Sequence, residues 1–149
     1  MAVPALDDPA QIRHADADLL SLALSALASL MLLAISNHIT QNVASIPFLW
    51  VLPLTLYLLT FVLVFEGRGG LGFYVRRIWL GPTLVVFGAM AYSLTADRGV
   101  LSINQAIPLY CLGLFLTCMF CHGELAAAKP APSYLTRFYL MLSVGGAIG

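Results

Sequence analysis

The residues best suited to chemistry are gathered in one short string, Cys118-Met119-Phe120-Cys121-His122, with Glu124 two positions further on. The spacing C-x-x-C-H is the one read as covalent c-type haem attachment, two thiols bonding the vinyl groups and the imidazole ligating iron. The same three side chains offer a second chemistry. Cys118 and His122 are one helical turn apart, and with Cys121 they could supply three metal ligands, the number a catalytic zinc site uses with one position left open. Against both readings, one turn of one helix leaves a metal poorly enclosed, no second axial ligand is near, and cysteine is also simply a small buried hydrophobe. No cofactor is therefore expected. Glu124, just past this turn, is placed to pair with Lys129 or Arg137, or to accept a proton from His122.

Two further groups of polar residues interrupt an otherwise apolar chain. Asn37, His38, Gln41 and Asn42 lie in the run S-N-H-I-T-Q-N at 36–42, followed by Pro47 and Pro53. Such a cluster suits an ordinary wet loop between helices, the preferred reading. The alternative is a cavity mouth or re-entrant turn, where irregular backbone is tolerated at membrane depth only if protein buries it or water lines it. Asn104 and Gln105, ahead of Pro108, are candidates for bridging helices or lining a solute path.

What positions these groups is a chain built for lipid. Hydrophobic residues make up 60% of the 149, charged residues 9%, and the mean hydropathy is +0.92. Soluble domains average about 25% charged residues. A net charge of zero argues against a nucleic-acid partner held through phosphates. The three cysteines fall in one apolar stretch, unlike a secreted disulfide framework, and are expected as free thiols.

A hydrocarbon core about 30 Å thick needs roughly 20 helical residues. Runs of that kind occur at 19–36, 47–65, 78–94 and about 101–121, and a fifth begins near 134 and is still helical in pattern at Gly149, an ending that reads as truncation. The expected fold is all-α, a polytopic transmembrane helix bundle of four full spans plus an incomplete fifth, behind a cytoplasmic tail at 1–18. A cleaved signal peptide is the lesser reading of the first run, because its flank holds four aspartates and only Arg13.

If the spans alternate, one side receives Arg13, Arg68, Arg76, Arg77, Lys129 and Arg137 and the other only Arg98. The positive-inside rule then makes the amino terminus cytoplasmic. Tyr74, Trp79, Tyr134 and Tyr139 suit an inner aromatic belt, and Trp50 an outer one. Ser21, Ser25 and Ser29 recur every four residues, and Gly145 with Gly149 forms a GxxxG, spacings that let helices approach closely. They point to a packed bundle and, more weakly, to self-association.

The segments NHITQNVASIPFLWVLPLTLYLLTFVLVF at 37–65, CHGEL at 121–125, KPAP at 129–132 and FYLMLSVGGA at 138–147 resemble the membrane region of bacterial fused transporter-like (MFS-like)/spermidine synthase-like integral membrane proteins. The resemblance implies an inner-membrane module that anchors or feeds a cytoplasmic spermidine synthase-like domain, or carries a small solute. The Rossmann-like half of that family, which would make it an aminopropyltransferase, has no counterpart here. Gly67-Arg68-Gly69-Gly70 follows no strand and is no nucleotide loop. The chain is thus not expected to be an enzyme by itself. The alternative is a redox or metal-binding membrane protein using Cys118, Cys121 and His122.

Overall fold

The computed structural model describes residues 9–43, 48–66, 74–95, 101–130 and 134–149. Among them the structure is helical throughout, with no strand: α1 (Pro9–His38) running into a π-helical turn (Ile39–Val43), α2 (Val51–Phe65), α3 (Arg76–Thr95), α4 (Ile103–Ala127) and α5 (Leu135–Ile148). Three stretches are long and apolar enough to cross a membrane, Asp16–Gln41, Arg76–Thr95 and Ile103–Ala127. At 15 and 14 residues, α2 and α5 are shorter apolar helices. The 15-residue helix rises about 22 Å at ~1.5 Å per residue, less than a full hydrocarbon core.

Two boundaries differ from the sequence expectation. Helix α1 starts at Pro9, so the described part of the expected tail is helical. The loop expected over 36–42 is helix and π-turn instead. The polar residues serve the helix itself: Thr40 Oγ1 donates to the Ser36 carbonyl at 2.7 Å, and Gln41 Nε2 donates to Asn37 Oδ1 at 2.5 Å. The segments holding Gly67–Gly70 and Arg98 lie outside the described residues.

Contacts between helices fix their directions. Along α3 and α4, Tyr74 lies by Gly123, Met90 by Gly113 and Ser93 by Tyr110, so the two are antiparallel. His38 packs on Tyr110 with ring centroids 4.4 Å apart and the planes tilted by 51°, while Ser25 shares a cavity with His122, so α1 is antiparallel to α4 as well. Between α1 and α5 the pairs are Asp18 with Arg137, Leu22 with Gly145 and Ala26 with Gly149, a parallel register. Helix α2 runs with α4: Leu56 packs into the cluster around Tyr110 and Leu114, and Val64 joins Met119 and Ala126 further along.

Helix α4 is the hub, because it touches α1, α2 and α3 and is the most buried. Its small Gly113 admits Met90, and Cys118 and Cys121 are fully buried in the core. Among the described residues helix α3 packs on α4 alone and presents Leu84, Val85 and Leu94 outward. Outward leucine and valine suit a surface that meets acyl chains, where apolar exposure carries no penalty.

The small-residue spacings act inside the chain. A side chain on Gly145 would run into the Leu22 carbonyl, and one on Gly149 into that of Ala26. Ser21 and Ser25 are buried against this seam, and Ser25 Oγ donates across it to the Leu142 carbonyl at 2.6 Å.

Candidate functional site

The carboxyl-terminal half of α4 contains C-H-G-E-L, and each letter has a separate task. Cys121 faces the core, and Leu125 is completely buried. His122 turns to α2, Gly123 leaves room for the Tyr74 ring, and Glu124 receives the Tyr74 hydroxyl. Consecutive helical residues point about 100° apart, so a five-residue string can reach three neighbours at once.

His122 is 2% exposed and sits between Tyr57 and Phe61, whose rings meet it edge to face at centroid distances of 5.0 and 5.3 Å. Its Nδ1 lies 3.1 Å from Thr60 Oγ1. The Thr60 hydroxyl gives its one proton to the Tyr57 carbonyl at 2.8 Å, so it can only accept from His122. This fixes the neutral ring as the Nδ1–H tautomer and leaves Nε2 as an acceptor, with no partner among the described residues. A cavity of about 150 Å³ opens beside the ring, lined by Ser25 of α1, Tyr57 and Phe61 of α2, and Leu142, Ser143 and Gly146 of α5. A second cavity, of about 360 Å³, lies between α3 and α4 against Tyr92, Ser93, Gln105 and Leu109.

At the end of α4, Glu124 Oε1 accepts from the Tyr74 hydroxyl at 2.6 Å and lies 3.4 Å from Arg76 Nε. Burial, and then the carboxylate it donates to, push the Tyr74 phenol above its ordinary pKa of 10.0. The expected partners of Glu124 are thereby corrected. Arg76 takes the place of Lys129 and Arg137, Arg137 pairs with Asp18 at 2.6 Å, and His122 is engaged with Thr60. Tyr74 also leaves the expected aromatic belt, since its ring is buried over Gly123 and meets Phe120 edge to face.

The other candidates are dispersed. Gln105 Oε1 accepts from Ser102 N–H at 3.2 Å and from its hydroxyl at 3.1 Å, which makes it a cap of α4. The pattern S-x-x-Q was the available signal for that role. Asn104 is exposed beside it, as are Asn37 in the last turn of α1 and Gln41 in the π-helical turn; the Asn42 side chain lies outside the described residues. His38 packs on Tyr110, whose hydroxyl donates to Ser93 at 2.9 Å because Ser93 has spent its own proton on the Met90 carbonyl. Cys118, Cys121 and His122 do not converge: among the described residues no three His, Cys, Asp or Glu side chains come together to hold a metal. All three cysteines are free thiols. Tyr57 and Thr60 had no signal in the sequence beyond being polar in an apolar span.

No family model matches the chain, and no curated protein or solved structure matches it either.

Proposed function

We propose that this chain is a multi-pass module of a bacterial plasma membrane that holds a small solute in the cavity beside His122. The observation that carries the reading is the combination found there: a buried imidazole held by Thr60, with an acceptor nitrogen free toward a half-open cleft between α1, α2 and α5. Ionisable groups within membrane helices are costly, and they are kept where they serve a solute or proton path.

Alternating helix directions support several crossings in an up-and-down order, and the bias of Lys and Arg to one side supports a cytoplasmic amino terminus. The resemblance to the membrane region of spermidine synthase-like proteins adds an anchoring role toward a cytoplasmic catalytic domain that these residues do not themselves supply.

Maleimide labelling in lipid vesicles tests the cavity, because the reagent needs a thiolate in contact with water. In a C111A background, S143C on the cavity wall is expected to react many-fold faster than V85C on the outer face of α3. Equal rates would remove the solute reading. Labelling of E66C and T95C from opposite sides of the membrane is the matching test of topology.

A further inference from the structure

Every polar group committed around the cavity has already spent its proton. Ser25 donates to the Leu142 carbonyl at 2.6 Å, Ser143 to the Tyr139 carbonyl at 2.9 Å, and His122 Nδ1–H to Thr60 at 3.1 Å. What remains toward a guest from these groups is the lone pairs of two hydroxyls and of Nε2, so that acceptors predominate in the lining. The Tyr57 hydroxyl, with no partner among the described residues, can turn either its lone pair or its proton to the same guest, one donor among at least three acceptors.

The nearest helix ends favour positive charge. Phe61 is one turn from the carboxyl end of α2, and Leu125 lies in the last turn of α4. Each carboxyl end carries roughly half a negative charge, an effect confined to about the last turn. The amino ends are further off. Leu142 is seven residues into α5 and Ser25 sixteen into α1, about 10 and 24 Å at ~1.5 Å per residue. The nearby carboxylate, Glu124, is held by Tyr74 and Arg76 and leaves the cavity to the backbone field.

A space of about 150 Å³ admits on the order of six heavy atoms. We infer that this cavity binds a small primary ammonium ion, its N–H groups shared among His122 Nε2, Ser25 Oγ and Ser143 Oγ. The inference rests on the solute reading above and sharpens it to a cationic hydrogen-bond donor.

The test uses the whole chain in lipid nanodiscs at pH 8, where imidazole is neutral and an amine with a pKa near 10.4, like that of lysine, is charged. Methylammonium chloride is titrated while the ring nitrogens of His122 are followed by ¹⁵N NMR. The expected result is a saturable shift of Nε2 with methylammonium and none with potassium or tetramethylammonium, which carry the charge without the donors. With the line width of ¹⁵N-labelled methylammonium as the readout for variants, H122F should weaken binding tenfold or more and S25A severalfold, while H122Q, which restores an acceptor, should recover part of it. Unchanged helix content and melting temperature in each variant separate loss of binding from loss of fold. Equal response to potassium or tetramethylammonium, or binding of formate in place of the amine, would overturn the ammonium assignment and leave the solute cavity standing. No response of His122 to any of these probes would remove both.

Discussion

The α1–α5 seam and the α2–α4 contact border the same cavity and are built on opposite rules. Along the seam the residues are as small as the code allows, and Gly145 and Gly149 bring backbone against backbone at Leu22 and Ala26. Across α2 and α4 the residues are large or polar, with Tyr57, Phe61 and His122 meeting ring to ring and Thr60 holding the imidazole. Lipid supplies no hydrophobic drive between helices, so close backbone approach and interhelical hydrogen bonds are what remain to hold them. The seam sets the distance and the aromatic contact sets the chemistry.

Breaking the seam should have the largest effect. G145A places a methyl group against the Leu22 carbonyl, which cannot swing aside as a side chain would. A loss of about 1–3 kcal/mol, the usual range for overpacking, is expected in thermal unfolding in detergent. G146A is the control, since its methyl meets Ser25 Oγ at 3.5 Å and Ser29 Oγ at 3.6 Å, ordinary contacts. There the better helix propensity of alanine, up to ~1 kcal/mol, should leave the protein as stable or more so. Loss of stability in both would show that α5 tolerates no added bulk anywhere, and the seam would have no special standing.

On the other side of the cavity, T60V keeps the shape of Thr60 and removes the acceptor for His122. A buried Nδ1–H left unpaired costs about 1–3 kcal/mol, part of which the ring recovers by moving its proton to Nε2. The ¹⁵N spectrum decides it. The native protein should show the Nδ1–H tautomer, and T60V a mixture or the reverse. An Nε2–H signature in the native protein would overturn the tautomer and with it the acceptor that His122 offers to the cavity.

These two tests bear on features the sequence shows to different degrees. The seam was legible, because Ser21, Ser25, Ser29 and the GxxxG repeat with helical periods and small size has a local meaning. The core of the three helices long enough to cross a membrane was legible too, since the absence of charge over about 20 residues has few explanations. The string C-H-G-E-L stood out by composition, but its roles did not. Thr60 lies 62 positions from His122, and Tyr74 50 from Glu124, and spacing along one chain carries no record of which helices become neighbours. The segment 36–42 misled for a different reason. Its amides and hydroxyls have the composition of a loop, yet bonds from Thr40 to Ser36 and from Gln41 to Asn37 let the helix continue through them.

Tyr74 links α3 to the end of α4, and Y74F should cost about 1 kcal/mol, the net worth of a hydrogen bond, somewhat more because the acceptor is charged. Its pH dependence follows from the raised phenol. Below pH 10 the phenol is protonated in both the folded and unfolded chain, and the bond to Glu124 contributes fully. Above 10 the unfolded chain ionises first while the folded one keeps its proton, so this contribution falls as pH rises. The gap in melting temperature between native and Y74F protein should therefore narrow above pH 10. A constant gap would mean that Tyr74 acts by packing on Gly123 and Phe120 and not through its hydroxyl.

The smallest effect is expected where the seam meets water. Asp18, in the third turn of α1, and Arg137, in the first turn of α5, approach to 2.6 Å, but off the line a hydrogen bond needs, and the arginine side chain is 59% exposed. Exposed ion pairs contribute about 0.2–1 kcal/mol and weaken with salt. D18N, which keeps the shape and removes the charge, should lower stability by no more than that in dilute buffer and by nothing measurable at about 1 M salt, where the Debye length is ~3 Å. A larger, salt-independent loss would mean that the carboxylate and not the glycine packing holds α5 in register, because only a desolvated pair resists screening. The division of labour between close-packed seam and polar contact would then need to be redrawn from its first term.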